Sequence, residues 1–266
     1  MRLSDGLRAS PTDPAITYLD AVRNALSRIE THQILHAANI VSASLEADGI
    51  VHAFGTGHSS LLAQEVFFRA GGLVAVSPIL DPRLSFEQGA IESTEFERSL
   101  EAAQELVQHA GFRNRDTGIV ISNSGRNALP VEMALQMKAA GLKVIALTNL
   151  EQSRAVLSRH PSCKRLFEIA DCVLDNHCPP GDAAVSVSGI PHAMGPLSTI
   201  IGAAILHAMF LQAAEQLTSR GKLPATFVSV NVGEGSLDNL RERVARYQDR
   251  IPYYRPAREQ HGSKKS

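Results

Sequence analysis

Cysteine is scarce in this chain, and its placement excludes a scaffold role. The 266 residues hold only Cys163, Cys172 and Cys178. An odd number at C-x8-C-x5-C spacing does not read as a disulfide framework. Without a CxxC pair there is no zinc-knuckle spacing. An excess of charge is missing too. The formal net charge is −1, so no global basic field draws nucleic acid. The N-terminus lacks an apolar stretch, because Asp5, Arg8, Pro11, Asp13 and Pro14 interrupt it, and it does not read as a signal peptide. The longest apolar helix candidate, residues 196–217, carries His207, Gln212 and Glu215. It reads as a buried core helix rather than a membrane span. A cytoplasmic, membrane-free protein is expected. The familiar catalytic signatures are absent: there is no Walker motif, no G-x-S-x-G elbow and no H-E-x-x-H.

What is present is a globular pattern, with 44% hydrophobic and 20% charged residues. Residues 18–45 read as one long helix, with Leu19, Val22, Leu26 and Ile29 at helical spacing. Short apolar runs follow at 50–54, 73–76, 118–122, 143–148 and 172–174. Helical stretches lie between them, at 61–70, 95–110 and 131–140, and then at 196–217. An extended segment at 227–230 precedes a last helix carrying Leu237, Leu240, Val244 and Tyr247 on one stripe. Strands that are continuous apolar runs, alternating with helices, predict a parallel sheet covered on both faces. No internal repeat or linker divides the chain. A single domain over 14–252 is expected, between a flexible arm at 1–13 and a disordered basic tail at 253–266.

Two polar loops rich in small residues follow separate strands. The first is Gly55, Thr56, Gly57, His58, Ser59, Ser60; the second is Ser122, Asn123, Ser124, Gly125, Arg126, Asn127. In open parallel sheets ligands bind beyond the carboxyl ends of the strands. Glycines let backbone N–H groups close on an anion, and the following helix adds its positive end. Ser and Asn donate further hydrogen bonds, so a phosphate dianion can be held without Lys. Either loop alone could be an ordinary turn with a helix cap; two in one sheet favour a shared ligand. A dinucleotide fits poorly. The first loop has no third glycine, and residues 75–78 lack the acid a Rossmann site needs. No cofactor is expected.

These residues resemble the SIS (sugar isomerase) domain family over about 14–252. The match is carried by the two loops together with Ala146-Leu-Thr-Asn149, Asp175-Asn-His-Cys-Pro-Pro-Gly-Asp-Ala183 and Gly195-Pro-Leu-Ser-Thr199. Within the family the chain looks like the single-domain bacterial, phosphoheptose isomerase-like proteins. The resemblance implies an α/β three-layer αβα sandwich with a five-stranded parallel sheet, flavodoxin-like, with long N-terminal and C-terminal helices. It implies a homodimer or homotetramer that binds a phosphorylated sugar. Ser122 and Ser124 would hold the phosphate. Asn127 stands where relatives more often have Ser or Thr. Gly55, Thr56, Gly57, Ser59, Asn123, Gly125 and Thr199 complete the expected ligand-binding set.

Aldose–ketose isomerisation needs a base that moves a proton between neighbouring carbons, and a group for ring opening. Glu65 lies roughly where phosphoheptose isomerases carry a catalytic Glu, about one helical turn nearer the loop. Glu87 follows the second strand, as does Glu92, which reads as a solvated helix-start acid. His58 and His192 are the ring-opening candidates. Bland alternatives stand beside these. Glu65 could pair with Arg69 at i+4, His207 reads as a core or interface histidine, and Phe67-Phe68 reads as packing. Arg126 faces either the phosphate or solvent. His177, Cys178 and Asp182 are close in sequence but lack metal-ligand spacing, and no metal is expected. Three functions remain open: a phosphosugar isomerase, a phosphosugar sensor without turnover, and a lyase cleaving an ether on an N-acetylated muramic acid phosphate.

Overall fold

The apolar runs become one parallel sheet in the computed structural model, which describes residues 13–86, 89–231 and 236–255. Its strands are β1 (Val51–Gly55), β2 (Val76–Ile79), β3 (Thr117–Ile121), β4 (Lys143–Thr148) and β5 (Cys172–Asp175). The order is β2-β1-β3-β4-β5, and every pairing is parallel. Successive side chains enter opposite layers. Val51, Ala53, Ile119, Ile121, Ile145 and Leu147 face one core. Phe54, Val120, Val144 and Ala146 face the other. Both faces are buried, which is why the strands carry no polar alternation.

One helical layer contains α1 (Pro14–Ser27), α2 (Thr31–Glu46), α3 (His58–Glu65) and α8 (Ser198–Ser219). The opposite layer is built chiefly from α5 (Glu101–Ala110) and α6 (Ala128–Ala139). Short helices α4 (Ala90–Phe96) and α7 (Leu150–Ala155) lie between strands, and α9 (Leu237–Ala245) follows α8. The expected αβα sandwich is therefore present. By length and hydropathy α8 could cross a membrane. In this fold it is a core helix, packed on α2, α3 and α1, with Ile201, Ile205, Leu206 and Met209 buried.

Several boundaries differ from the sequence expectation. The long helix over 18–45 is two helices. The amides of Arg28 and Ile29 bond back to Ala25 and Leu26 and close α1, while Tyr18 Oη donates to the Pro196 carbonyl at 2.7 Å. The second strand is Val76–Ile79 rather than 73–76. Segment 225–227 engages the backbone before it, through Val74 N to Ala225 O and Phe227 N to Gly72 O, both 2.9 Å. Pro78 is tolerated because β2 is an edge strand. The helix expected over 61–70 is α3, which begins earlier and stops at Glu65. Phe67 and Phe68 then pack on Tyr254 and Phe227. The helix expected over 95–110 is broken at residues 97–100. An antiparallel pair, β6 (Ala183–Val185) with β7 (Met194–Pro196), was not foreseen. Glu87, residues 1–12 of the arm expected over 1–13 and residues 256–266 lie outside the described residues, while Asp13 caps α1 by accepting from Ala15 N at 2.9 Å. Tyr254 is buried and donates to the Val74 carbonyl at 2.8 Å, so the fold continues past residue 252.

Candidate functional site

Strand order places the two loops side by side. From β1 the chain crosses to β2 on one flank, and the rest of the sheet lies on the other, so β1 and β3 border the topological switch point. Gly55 at the end of β1 pairs with Ile121 at the end of β3. The first loop therefore leaves the sheet beside Ser122. Gly55 is required there, since a Cβ would run into the Ser59 backbone. Gly125 adopts φ +59, and a Cβ would lie 2.8 Å from Ser153 Oγ and 3.1 Å from Thr148 Oγ1.

Between the loops lies a narrow cleft lined by Ser59, Asn123, Asn176, Ser198 and Thr199 above an apolar floor. Its volume is about 10 Å³, room for roughly one water. Asp182 shapes its rim. One carboxylate oxygen accepts from Leu197 N and Ser198 N at 3.0 and 2.8 Å, and the other from Ser198 Oγ at 2.5 Å, capping α8. Asn123 anchors the other wall. Its Oδ1 accepts from Asn176 Nδ2 at 2.8 Å, and its carbonyl accepts from Asn149 N at 3.0 Å.

A carboxylate joins the two loops. Glu97 Oε2 accepts from Thr56 Oγ1 at 2.8 Å, and Oε1 accepts from Asn127 Nδ2 at 2.5 Å. Arg159 donates to Asn127 Oδ1 at 2.8 Å. The Glu97 carbonyl takes Leu129 N at 3.1 Å, tying it to the first turn of α6. Burial pushes the Glu97 carboxyl above its usual range. The Thr56 hydrogen bond and the nearby charges of Arg98 and Arg159 pull the other way without cancelling that rise. A carboxylate destabilised as the anion is more willing to take a proton.

The remaining expected site residues divide. Ser59, Asn123 and Thr199 share the cleft. Ser122 Oγ accepts from Gly125 N at 3.2 Å and keeps its own proton to donate. Ser124 is half-buried, and its hydroxyl has no partner among the described residues. Thr56 and Asn127 are engaged by Glu97. Gly57, at φ +53, precedes α3. His58 is exposed on the first turn of α3, its ring 4.8 Å from that of Phe86. Glu65 lies at the far end of α3, about 10 Å along the axis. It pairs with Arg69 at 2.7 Å and with His207 at 3.2 Å. His192 is exposed in the connection between β6 and β7, and no contact among the described residues ties it to either loop. Arg126 has its Nε buried without a partner among the described residues. His177 sits beside Asp175 at 3.3 Å, and Asp182 serves α8, so the three residues clustered in sequence form no ligand set. Burial pushes the Cys178 thiol up to about 12. Sequence reasoning missed Glu97, Asn176 and Ser198. Glu97 lay inside an expected helix with no motif to mark it.

The doubly covered parallel sheet, with paired Ser/Gly/Asn loops at its switch point, defines a class of α/β domain. A sequence model of the SIS domain matches residues 17–149, and the chain belongs to that family. It is 40% identical over 238 residues to a UPF0309 protein of Geobacillus kaustophilus, covering 88% of this chain and 94% of that one. A UPF0309 protein of Brucella anthropi is 39% identical over 241 residues, covering 91% and 96%. Among solved structures, a phosphoheptose isomerase from Francisella tularensis shares the fold, with a TM-score of 0.50 at 16% identity over 78% of this chain and 100% of that one.

Proposed function

We propose that the crevice between β1 and β3 takes a phosphorylated sugar, and that Glu97 moves a proton between its first two carbons. The observation that carries this reading is the half-buried Glu97 carboxylate, held by Thr56 of one loop and Asn127 of the other. Ser124, Ser59 and Thr199 supply hydroxyls for the phosphate, with Ser122 behind them. Membership of the SIS family supports the ligand class. At about 10 Å³ the cleft admits a sugar phosphate only as the loops part.

In the reaction, His58 assists ring opening from the exposed first turn of α3. Glu97 then takes the C2 proton of the open-chain aldose. The C–H electron pair forms the C1–C2 double bond of an enediolate whose charge rests on O1. The hydroxyl proton passes from O2 to O1, and Glu97 returns its proton to C1, giving the ketose. Loop amides and hydroxyls favour the anion as it develops.

A second reading, a sensor that binds without turnover, is favoured by the closed cleft and by the two hydrogen bonds already made to Glu97. Both readings meet one experiment. The full chain is incubated with a panel of aldose and ketose phosphates and followed by NMR, with calorimetry for binding. Interconversion that Glu97→Gln abolishes, with binding kept, supports the isomerase. Binding without interconversion leaves the sensor. Absence of binding to the whole panel, or binding indifferent to Ser124→Ala, removes the phosphosugar reading. Release of lactate from an N-acetylated muramic acid phosphate would instead make Glu97 the base of a lyase.

A further inference from the structure

At the opposite pole of the sheet, below the amino ends of β1, β2 and β3, lies a cavity of about 710 Å³. Its apolar floor includes Ile50, Leu73, Ala75 and Leu217, and Tyr247 forms part of a wall. Five cationic side chains line it, Arg113, Arg115, Lys222, Arg246 and Arg250, against two carboxylates, Glu46 and Asp48. Those two acids are occupied. Asp48 pairs with Arg246, and Glu46 lies 2.6 Å from Arg220 and 3.8 Å from Lys222. Arg113 and Arg115 have no side-chain partner among the described residues.

The cationic wall is held in place from behind. Asp116, fully buried, accepts from Arg250 at 2.7 Å, Arg113 N at 2.8 Å and Ile50 N at 3.1 Å, with His52 Nε2 at 3.2 Å. Arg250 is itself only 11% exposed, so its guanidinium is fixed while it still lines the cavity. The Arg115 carbonyl accepts from Ser44 Oγ at 2.7 Å, and Asp116 N donates to Arg113 O at 2.8 Å. The turn presenting both free arginines is thus pinned at each end. Cations gathered over an apolar floor, with Arg250 held fixed among them, match a ligand with an anionic head and an apolar or ring-shaped body. The volume falls within the usual range for small-molecule sites, and a guanidinium pair suits phosphate oxygens.

We propose that this cavity is a second binding site, distinct from the β1–β3 crevice, for an anion with a ring body of nucleotide size. The site does not depend on the phosphosugar reading. Calorimetry on the full chain tests it with three probes without metal: ADP, inorganic pyrophosphate and adenosine. Saturable ADP binding is expected, with pyrophosphate at least ten-fold weaker and adenosine silent. Arg113→Ala with Arg115→Ala should weaken ADP at least ten-fold at unchanged melting temperature, since both side chains are exposed, whereas Ser124→Ala should leave it unaltered. Rising salt should weaken ADP in the wild type more than in the double variant. The proposal is overturned by failure of ADP to saturate, by ADP binding that survives the double variant, or by loss of binding in Ser124→Ala, which would place ADP at the crevice. It is also overturned if the double variant changes the oligomeric state, marking the arginines as a contact between copies.

Discussion

Glu97 offers a perturbation whose stability and activity effects have opposite signs. Burial raises its carboxyl above the unfolded-state value. The ionised form therefore opposes folding, and the stability this group contributes is complete below the unfolded value and falls as pH rises through the folded one. Glu97→Gln removes that titration. The new amide keeps one oxygen for Asn127 Nδ2, and its NH₂ meets Thr56 Oγ1, a hydroxyl that turns round to accept. Both hydrogen bonds survive, and the variant should lie within about 1 kcal/mol of wild type. It should gain on wild type as pH rises above the ordinary carboxyl value of 4.5. Glu97→Ala differs, since it strands the Asn127 amide and the Thr56 hydroxyl at about 1–3 kcal/mol. For a domain of this size that lowers the melting temperature by roughly 2–12 °C. Turnover should fall about 10²–10⁴-fold in both variants. Calorimetric melting at pH 4, 5.5 and 7, beside NMR turnover on whichever sugar phosphate the panel identifies, reads both effects. Glu97→Gln that melts much lower at pH 7 yet still turns over substrate would refute the reasoning and make Glu97 a structural strut.

Other consequences follow from the same geometry. The partners of Asp116 hold its carboxyl at about 2 against 3.8, a difference of about 2–3 kcal/mol; Asp116→Asn should lose that much at pH 7, seen as a lower urea midpoint. That contribution is complete above the unfolded value and vanishes as pH falls through about 2, so the two stability curves should converge there. Asp182→Ala uncaps α8 and should cost about 1–2 kcal/mol in urea unfolding, with weaker phosphosugar binding as Ser198 and Thr199 loosen. Gly125→Ala forces a side chain onto φ +59 against Ser153, and should destabilise by more than about 1 kcal/mol, again read by the urea midpoint.

The strands were legible because buried parallel strands must be apolar on both faces, and Lys143–Thr148 matched its expected bounds. The two loops were legible because close turns at strand ends demand Gly and small polar residues. The boundaries that moved did so for tertiary reasons. Residues 73–75 carry a good strand pattern, yet the Val74 amide donates to the Ala225 carbonyl and Leu73 pairs with Thr226, more than a hundred positions away. Glu65 sat at a suggestive distance after the first loop, but α3 carries it away from the ends of the strands and leaves it to Arg69 and His207.

By itself the sequence determined the layered α/β class, the parallel sheet and the two Gly/Ser/Asn loops at strand ends, because each rests on local periodicity and backbone freedom. Only the tertiary structure decided which carboxylate stands between those loops and that Asp182 caps α8. It alone gathered the arginines of two distant segments at the far pole. Such placements depend on contacts between residues far apart in the chain, and no local spacing encodes them.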